Sequence, residues 1–142
     1  METVLLVTAS QKAADALTAL LNHQGPVQIA TAFGAALARQ MLLDNEYDLV
    51  LINTPLGDEM GSELAVDIAL HTTCGVILLV KSELFDEIAH RMEDYGVWVV
   101  AKPVNRVLFF EAIRFVSATR KRLLGLQQEN AKLQSKMEEL RL

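Results

Sequence analysis

The sequence is short of the residues that build covalently linked or metal-held structures. Cys74 is its single cysteine, so no internal disulfide can form, and in the apolar context TTCGVILLV the thiol reads as a small buried side chain. His23, His71 and His90 lie far apart, with no second His or Cys at ligand spacing, which argues against a zinc site. No apolar run approaches the roughly 18 residues that span a bilayer. The opening METVLLVTAS lacks both the basic leader and the long apolar stretch of a signal peptide. Together these absences predict a cytoplasmic protein with no membrane contact. Glycine is missing from TASQKAAD, the loop after the first apolar run, and neither GKS nor GxGxxG occurs there, so a phosphate cradle for a nucleotide is not expected. Proline is absent after Pro103, which leaves the C-terminal stretch free to form one long helix.

What remains is ordinary globular material. The chain has 142 residues, 51% apolar and 22% charged, enough for one domain and an appendage. Its net charge of −5 is unevenly spread. Residues 117–142 carry Arg120, Lys121, Arg122, Lys132, Lys136 and Arg141 against Glu129, Glu138 and Glu139, a surplus of three positive charges that leaves −8 on residues 1–116. A basic tail on an acidic body suits a nucleic acid or an acidic partner, but no aromatic or glycine interleaves the basic residues. A solvated helix surface is therefore the favoured reading.

Four runs are almost continuously apolar: VLLV at 4–7, LVLI at 49–52, GVILLV at 75–80 and VWVVA at 97–101. Short runs rich in Val, Ile and Leu, without alternation, are strands covered on both faces. VQIA at 27–30, interrupted by Gln28, reads as a short edge strand. Between the runs apolar residues recur at helical spacing: Ala13, Leu17, Leu20 and Leu21; Phe33, Ala36, Leu37 and Met41; Leu64, Ala65 and Ile68; Leu84, Phe85, Ile88 and Met92. Ser10 and Ser82 are candidate N-caps, and Gly25-Pro26 and Gly96 candidate stops. Five β-α repeats predict an α/β, doubly wound, five-stranded parallel sheet. In such sheets ligands gather beyond the carboxyl ends of the strands, which directs attention to Thr8, Ala9 and Ser10, to residues 53–61, and to Lys81, Ser82, Lys102 and Pro103.

The β-α repeats, the turn NTPLGDEMG with its glycine eight places after Asn53, and AKPV at 101–104 resemble a response-regulator receiver domain. The resemblance implies the flavodoxin-like strand order 2-1-3-4-5. It also implies two acidic residues after the first strand, a phosphate-accepting Asp after the third, a Ser or Thr after the fourth and a Lys after the fifth. Only Lys102 matches. Thr8 and Ala9 stand where the acidic pair belongs, Asn53 at the acceptor, and Lys81 (or Val80) at the hydroxyl. Magnesium wants charged oxygen ligands, and a phosphoryl group needs a nucleophilic carboxylate. Asn53 supplies neither, and Lys81 and Lys102 repel a divalent cation. Asp58 and Glu59, in the turn, are the remaining carboxylates, with nothing nearby to hold a metal. The pocket thus reads as a degenerate phosphoacceptor site: no metal, no cofactor, no enzymatic activity. The two lysines suit a small anion; a hydrogen bond from Lys102 to the Asn53 carbonyl or to a carboxylate of the turn is the plainer and favoured alternative.

The last helix should start at Asn105 and, at about 1.5 Å per residue, reach about 55 Å. From Leu123 it carries a heptad seam, with Leu126, Leu133 and Leu140 at d and Leu123, Asn130 and Met137 at a. An Asn at a favours a parallel pair in one register, so a homodimer is expected. A receiver-like domain over residues 1–119 followed by a coiled-coil extension over 120–142 resembles the N-terminal part of ANTAR-class antitermination regulators. This implies an RNA-binding output domain beyond the seam, absent from these residues, and possible control by a regulatory protein. Two other readings stand beside this one: a phosphate-responsive receiver of a two-component system using non-standard residues, and a small flavodoxin-like ligand-binding domain.

Overall fold

Strands that are apolar on both faces require cover on both, and the chain builds it. The computed structural model describes residues 2–141. Strands β1 (Glu2–Thr8), β2 (Val27–Phe33), β3 (Leu49–Asn53), β4 (Gly75–Lys81) and β5 (Trp98–Lys102) alternate with helices α1 (Gln11–Asn22), α2 (Ala35–Asp44), α3 (Gly61–His71), α4 (Phe85–Met92) and α5 (Arg106–Arg141). All five strands are parallel, in the order β2-β1-β3-β4-β5. This is the doubly wound order read from the sequence.

Alternation along each strand divides the interior in two. Leu5, Val7, Val50, Ile52, Leu78 and Val80 face α2, α3 and α4, where Ala38, Leu64, Ile68 and Ile88 meet them. Val4, Leu6, Leu49, Leu51, Ile77 and Leu79 face α1 and α5, against Leu17, Leu21, Phe109 and Val116. Each fully buried Leu or Ile contributes about 1.5–3 kcal/mol, so the sheet is held from both sides. Among the described residues no buried side-chain nitrogen or oxygen lacks a hydrogen-bond partner.

Several local expectations need correction. β2 runs seven residues, not four, because pairing with the whole of β1 carries it to Phe33. α2 begins only after Gly34, which turns Ala35, Ala38, Met41 and Leu42 to the sheet; Phe33 and Leu37 are left a little under half exposed. On α1 it is Ala14, rather than Ala13, that is buried with Leu17 and Leu21. Ser10 does cap α1, accepting from the Ala13 N–H at 3.2 Å. Ser82 does not cap α4: its hydroxyl bonds the Glu83 carboxylate at 3.1 Å, and a 3-10 turn over Ser82–Leu84 leads into the helix. Asn105 starts α5, its side-chain oxygen accepting from the Leu108 N–H at 3.1 Å. The helix then continues unbroken for 36 residues.

Candidate functional site

Parallel strands end together, so the last residues of β1, β3, β4 and β5 share one rim of the sheet. β1 delivers Thr8, fully buried; β3 delivers Asn53; β4 and β5 deliver Lys81 and Lys102 side by side. A row of hydrogen bonds joins three of them. Lys102 Nζ donates to Asn53 Oδ1 at 3.2 Å and to the Thr54 carbonyl. Asn53 Nδ2 donates in turn to Thr8 Oγ1 at 3.2 Å, which also accepts from the Ser10 N–H at 3.4 Å. The amide suits this row because it both accepts from a cation and donates to a hydroxyl, which a carboxylate cannot do. Burial, and then the neighbouring Lys81, hold the Lys102 ammonium below the usual lysine range. Ala9 and Lys81 remain exposed at the rim.

The turn after β3 is tied down as firmly. Asp58 accepts from the N–H groups of Ala35 at 3.0 Å and Ala36 at 3.2 Å, capping α2, whose own N-cap Gly34 has no side chain to offer. Those two bonds keep the Asp58 carboxyl below the usual carboxylate range. Gly34 has φ +106°, a backbone conformation that a side chain would strain, and a Cβ there would also crowd Asp58 Oδ2 at 3.1 Å. Glu59 grips Arg39 through both oxygens, and Arg39 also reaches Asp67 of α3 at 2.7 Å, which raises the guanidinium pKa further. At Gly61 an added Cβ would fall 2.3 Å from Thr54 Cγ2, while the Thr54 hydroxyl is held by the Leu79 carbonyl at 2.7 Å. The glycine lets α3 start hard against this loop.

A hard divalent cation does not fit such a rim. The oxygens in the row are a hydroxyl and an amide carbonyl, each already accepting a hydrogen bond, and an ammonium group occupies the approach. The nearby carboxylates of Asp58 and Glu59 are turned to α2. Among the described residues no group of three or more His, Cys, Asp or Glu is placed to hold a metal ion.

The site residues named on α5 lie elsewhere. Leu123, Leu126, Asn130, Leu133, Met137 and Leu140 all lie beyond Val116, the last fully covered apolar side chain of the helix, and all are exposed. Phe109, Ala112 and Val116, which occupy a and d positions of the same heptad register, are buried against the sheet instead.

Sequence comparison finds no matching family model and no matching curated protein. Structural comparison does find similar molecules. The signal receiver domain of an HD domain-containing protein from Pseudomonas fluorescens is 23% identical, with a TM-score of 0.78 over 87% of this chain and 92% of that one. A response regulator receiver domain protein from Clostridium thermocellum is 19% identical, with a TM-score of 0.75 over 87% of this chain and 99% of that one. The chain has the receiver fold. The response regulator TrrA from Thermotoga maritima, in a complex with magnesium and beryllofluoride, is 23% identical, with a TM-score of 0.70 over 82% of this chain and 99% of that one.

On the receiver fold, the strand ends that the sequence singled out do converge at Thr8, Asn53 and Lys102. What sequence reading missed was the fastening of the turn. Asp58 lies 23 residues from the amide that it caps, and Arg39 lies 20 and 28 residues from its two carboxylates. One signal was available: Ala32, Phe33 and Gly34, the residues immediately before the helix AALARQ, carry no side-chain oxygen, which leaves its first N–H groups to be satisfied from elsewhere.

Proposed function

We propose that this chain is a non-enzymatic, cytoplasmic signalling module, a receiver homologue that does not take up a phosphoryl group and that pairs with a second copy through the outer half of α5. The observation that carries this reading is the Lys102 ammonium bonded to Asn53 Oδ1, in a row that holds no carboxylate. A receiver that switches by phosphorylation needs a nucleophilic oxygen and a cation at that point; here the cation is a lysine ammonium of the protein itself and a non-nucleophilic amide stands in the acceptor's place. The small-anion alternative loses support because Lys102 already donates to Asn53 and Thr54. Dimerisation rests on the exposed seam from Leu123 to Leu140 and on Asn130 at its a position, where a buried amide pair fixes a parallel register. By resemblance to the ANTAR class, the paired helices would position an RNA-binding antitermination domain following α5, with a protein partner setting its activity.

The test is phosphoryl uptake. The chain and its Asn53→Asp variant are incubated with a small phosphodonor and magnesium, and intact mass is measured. Neither should gain a phosphoryl group, because Thr8 and Ala9 leave the metal without charged ligands even when the nucleophile is restored. Incorporation into either would refute the reading. Sedimentation equilibrium with and without magnesium and beryllofluoride should give the same dimer in both; dimerisation only with the mimic would restore the two-component switch.

A further inference from the structure

At the edge of the domain where α5 leaves it, a cavity of about 250 Å³ lies between the helix and the amino end of β4. Its walls include Tyr95 and Trp98, at the start of β5, and Phe115, Thr119, Leu123 and Gln127 along α5. Trp98 and Phe115 touch in a tilted contact with ring centroids 4.7 Å apart, yet 39% of Trp98 and 56% of Phe115 are left open to solvent. Large aromatic side chains left open in one contiguous patch are characteristic of surfaces that another macromolecule covers.

We infer that the occupant is the last helix of a second copy, so that the dimer contact runs on from the coiled coil into this cavity. The inference rests on the parallel pairing proposed above and names where that pairing ends. Thr119 and Leu123 are at once cavity wall and positions d and a of the seam, so a helix packed on them lies across the cavity mouth. Further toward the domain the regular a and d residues, Val116 and Ala112, are already buried in their own core and cannot receive a partner. The exposed apolar stripe steps sideways from Thr119 to Phe115 and its neighbour Trp98. A seam from Leu123 to Leu140 spans only about two and a half heptads, below the three to four that usually sustain a coiled coil; the aromatic patch supplies the missing apolar area. The cavity is also smaller than the roughly 300–1,000 Å³ typical of small-molecule sites. It is the right scale for side chains of an adjoining helix.

Trp98 is the only tryptophan in the chain and so reports directly on this contact. Its emission and its acrylamide quenching are followed through a dilution series whose oligomeric state is fixed by sedimentation, with Leu133→Lys as a monomeric reference. The dimer should show blue-shifted emission and several-fold weaker quenching than the monomer. Phe115→Ala, at a position more than half exposed, should raise the dimer dissociation constant about tenfold with an unchanged circular dichroism spectrum. A stable dimer whose Trp98 is quenched like the monomer's, and whose affinity ignores Phe115→Ala, would overturn the inference and leave the coiled coil standing. Binding of an apolar dye that quenches Trp98 equally in monomer and dimer would assign the cavity to a small ligand instead. Failure to dimerise at any concentration would overturn both readings together.

Discussion

The carboxyl rim of the sheet and the outer half of α5 were both singled out as functional, and they are built in opposite ways. At the rim polar groups meet polar groups: Lys102 is bonded to Asn53, Asn53 to Thr8, Asp58 to the start of α2, Glu59 to Arg39. Along α5 the apolar side chains of Leu123, Leu126, Leu133 and Met137 are each at least half exposed. The contrast bears on where a signal can enter. A rim whose hydrogen bonds are internally satisfied gains little from a ligand that must break them first, whereas an uncovered apolar stripe gains free energy from any surface that removes it from water. In this molecule the second region, not the first, has free energy to gain from being covered.

The sharpest way to break that comparison is to charge the stripe. Leu133→Lys places an ammonium at a d position and should raise the dimer dissociation constant about a hundredfold or more, seen as monomer by sedimentation equilibrium, while the urea unfolding of the domain is unchanged. A variant that remains dimeric would move the interface away from this face. At the rim, Lys102→Met should do the reverse. It leaves Asn53 Oδ1 and the Thr54 carbonyl without their shared donor, at a cost of about 1–3 kcal/mol in urea unfolding, and should not alter the oligomeric state; loss of the dimer would show that the two regions are coupled.

Smaller effects sharpen the picture further. Gly125 weakens the exposed part of α5, and nothing lies within 4 Å of an added Cβ; Gly125→Ala should raise helicity and strengthen the dimer by up to about 1 kcal/mol. The Asp58 cap is testable through pH. Its carboxyl is lowered in the fold from the ordinary 3.8, so its contribution is present above that value and fades as pH falls through the lowered folded value, since the unfolded chain then binds the proton more readily. Asp58→Asn should flatten this part of the acid decline in the urea midpoint. An acid limb as steep as the parent's would mean that the cap on α2 does not stabilise the fold.

Much of this was legible beforehand, and the misses share a cause. The strands were visible because a doubly covered sheet demands uninterrupted apolar runs, and 49–52 and 75–80 were recognised within a residue of their observed limits. The rim residues followed from strand ends alone, since β-α repeats bring those ends together whatever the side chains are. The phase of α2 was not legible, because FGAALARQMLL offers apolar residues on several faces and only docking on β1 and β2 chooses among them. Local spacing predicts a cap at Ser82, but a 3-10 turn intervenes. Glu59, a turn residue by sequence, has a side chain only 23% exposed once Arg39 is paired with it.

By itself the sequence determined the order of elements, the absence of a phosphate-accepting carboxylate at the end of the third strand, and a heptad stripe with Asn130 at its centre. These are matters of residue type and local period, which need no knowledge of what lies nearby. Only the tertiary structure decided that Lys102 takes the Asn53 and Thr54 carbonyls rather than a carboxylate of the turn, that Asp58 caps a helix 23 residues away, and that Phe115 and Trp98 are left uncovered beside the seam. Each of those depends on which elements the parallel crossovers make neighbours, and a contact between distant residues leaves no mark on the spacing of either.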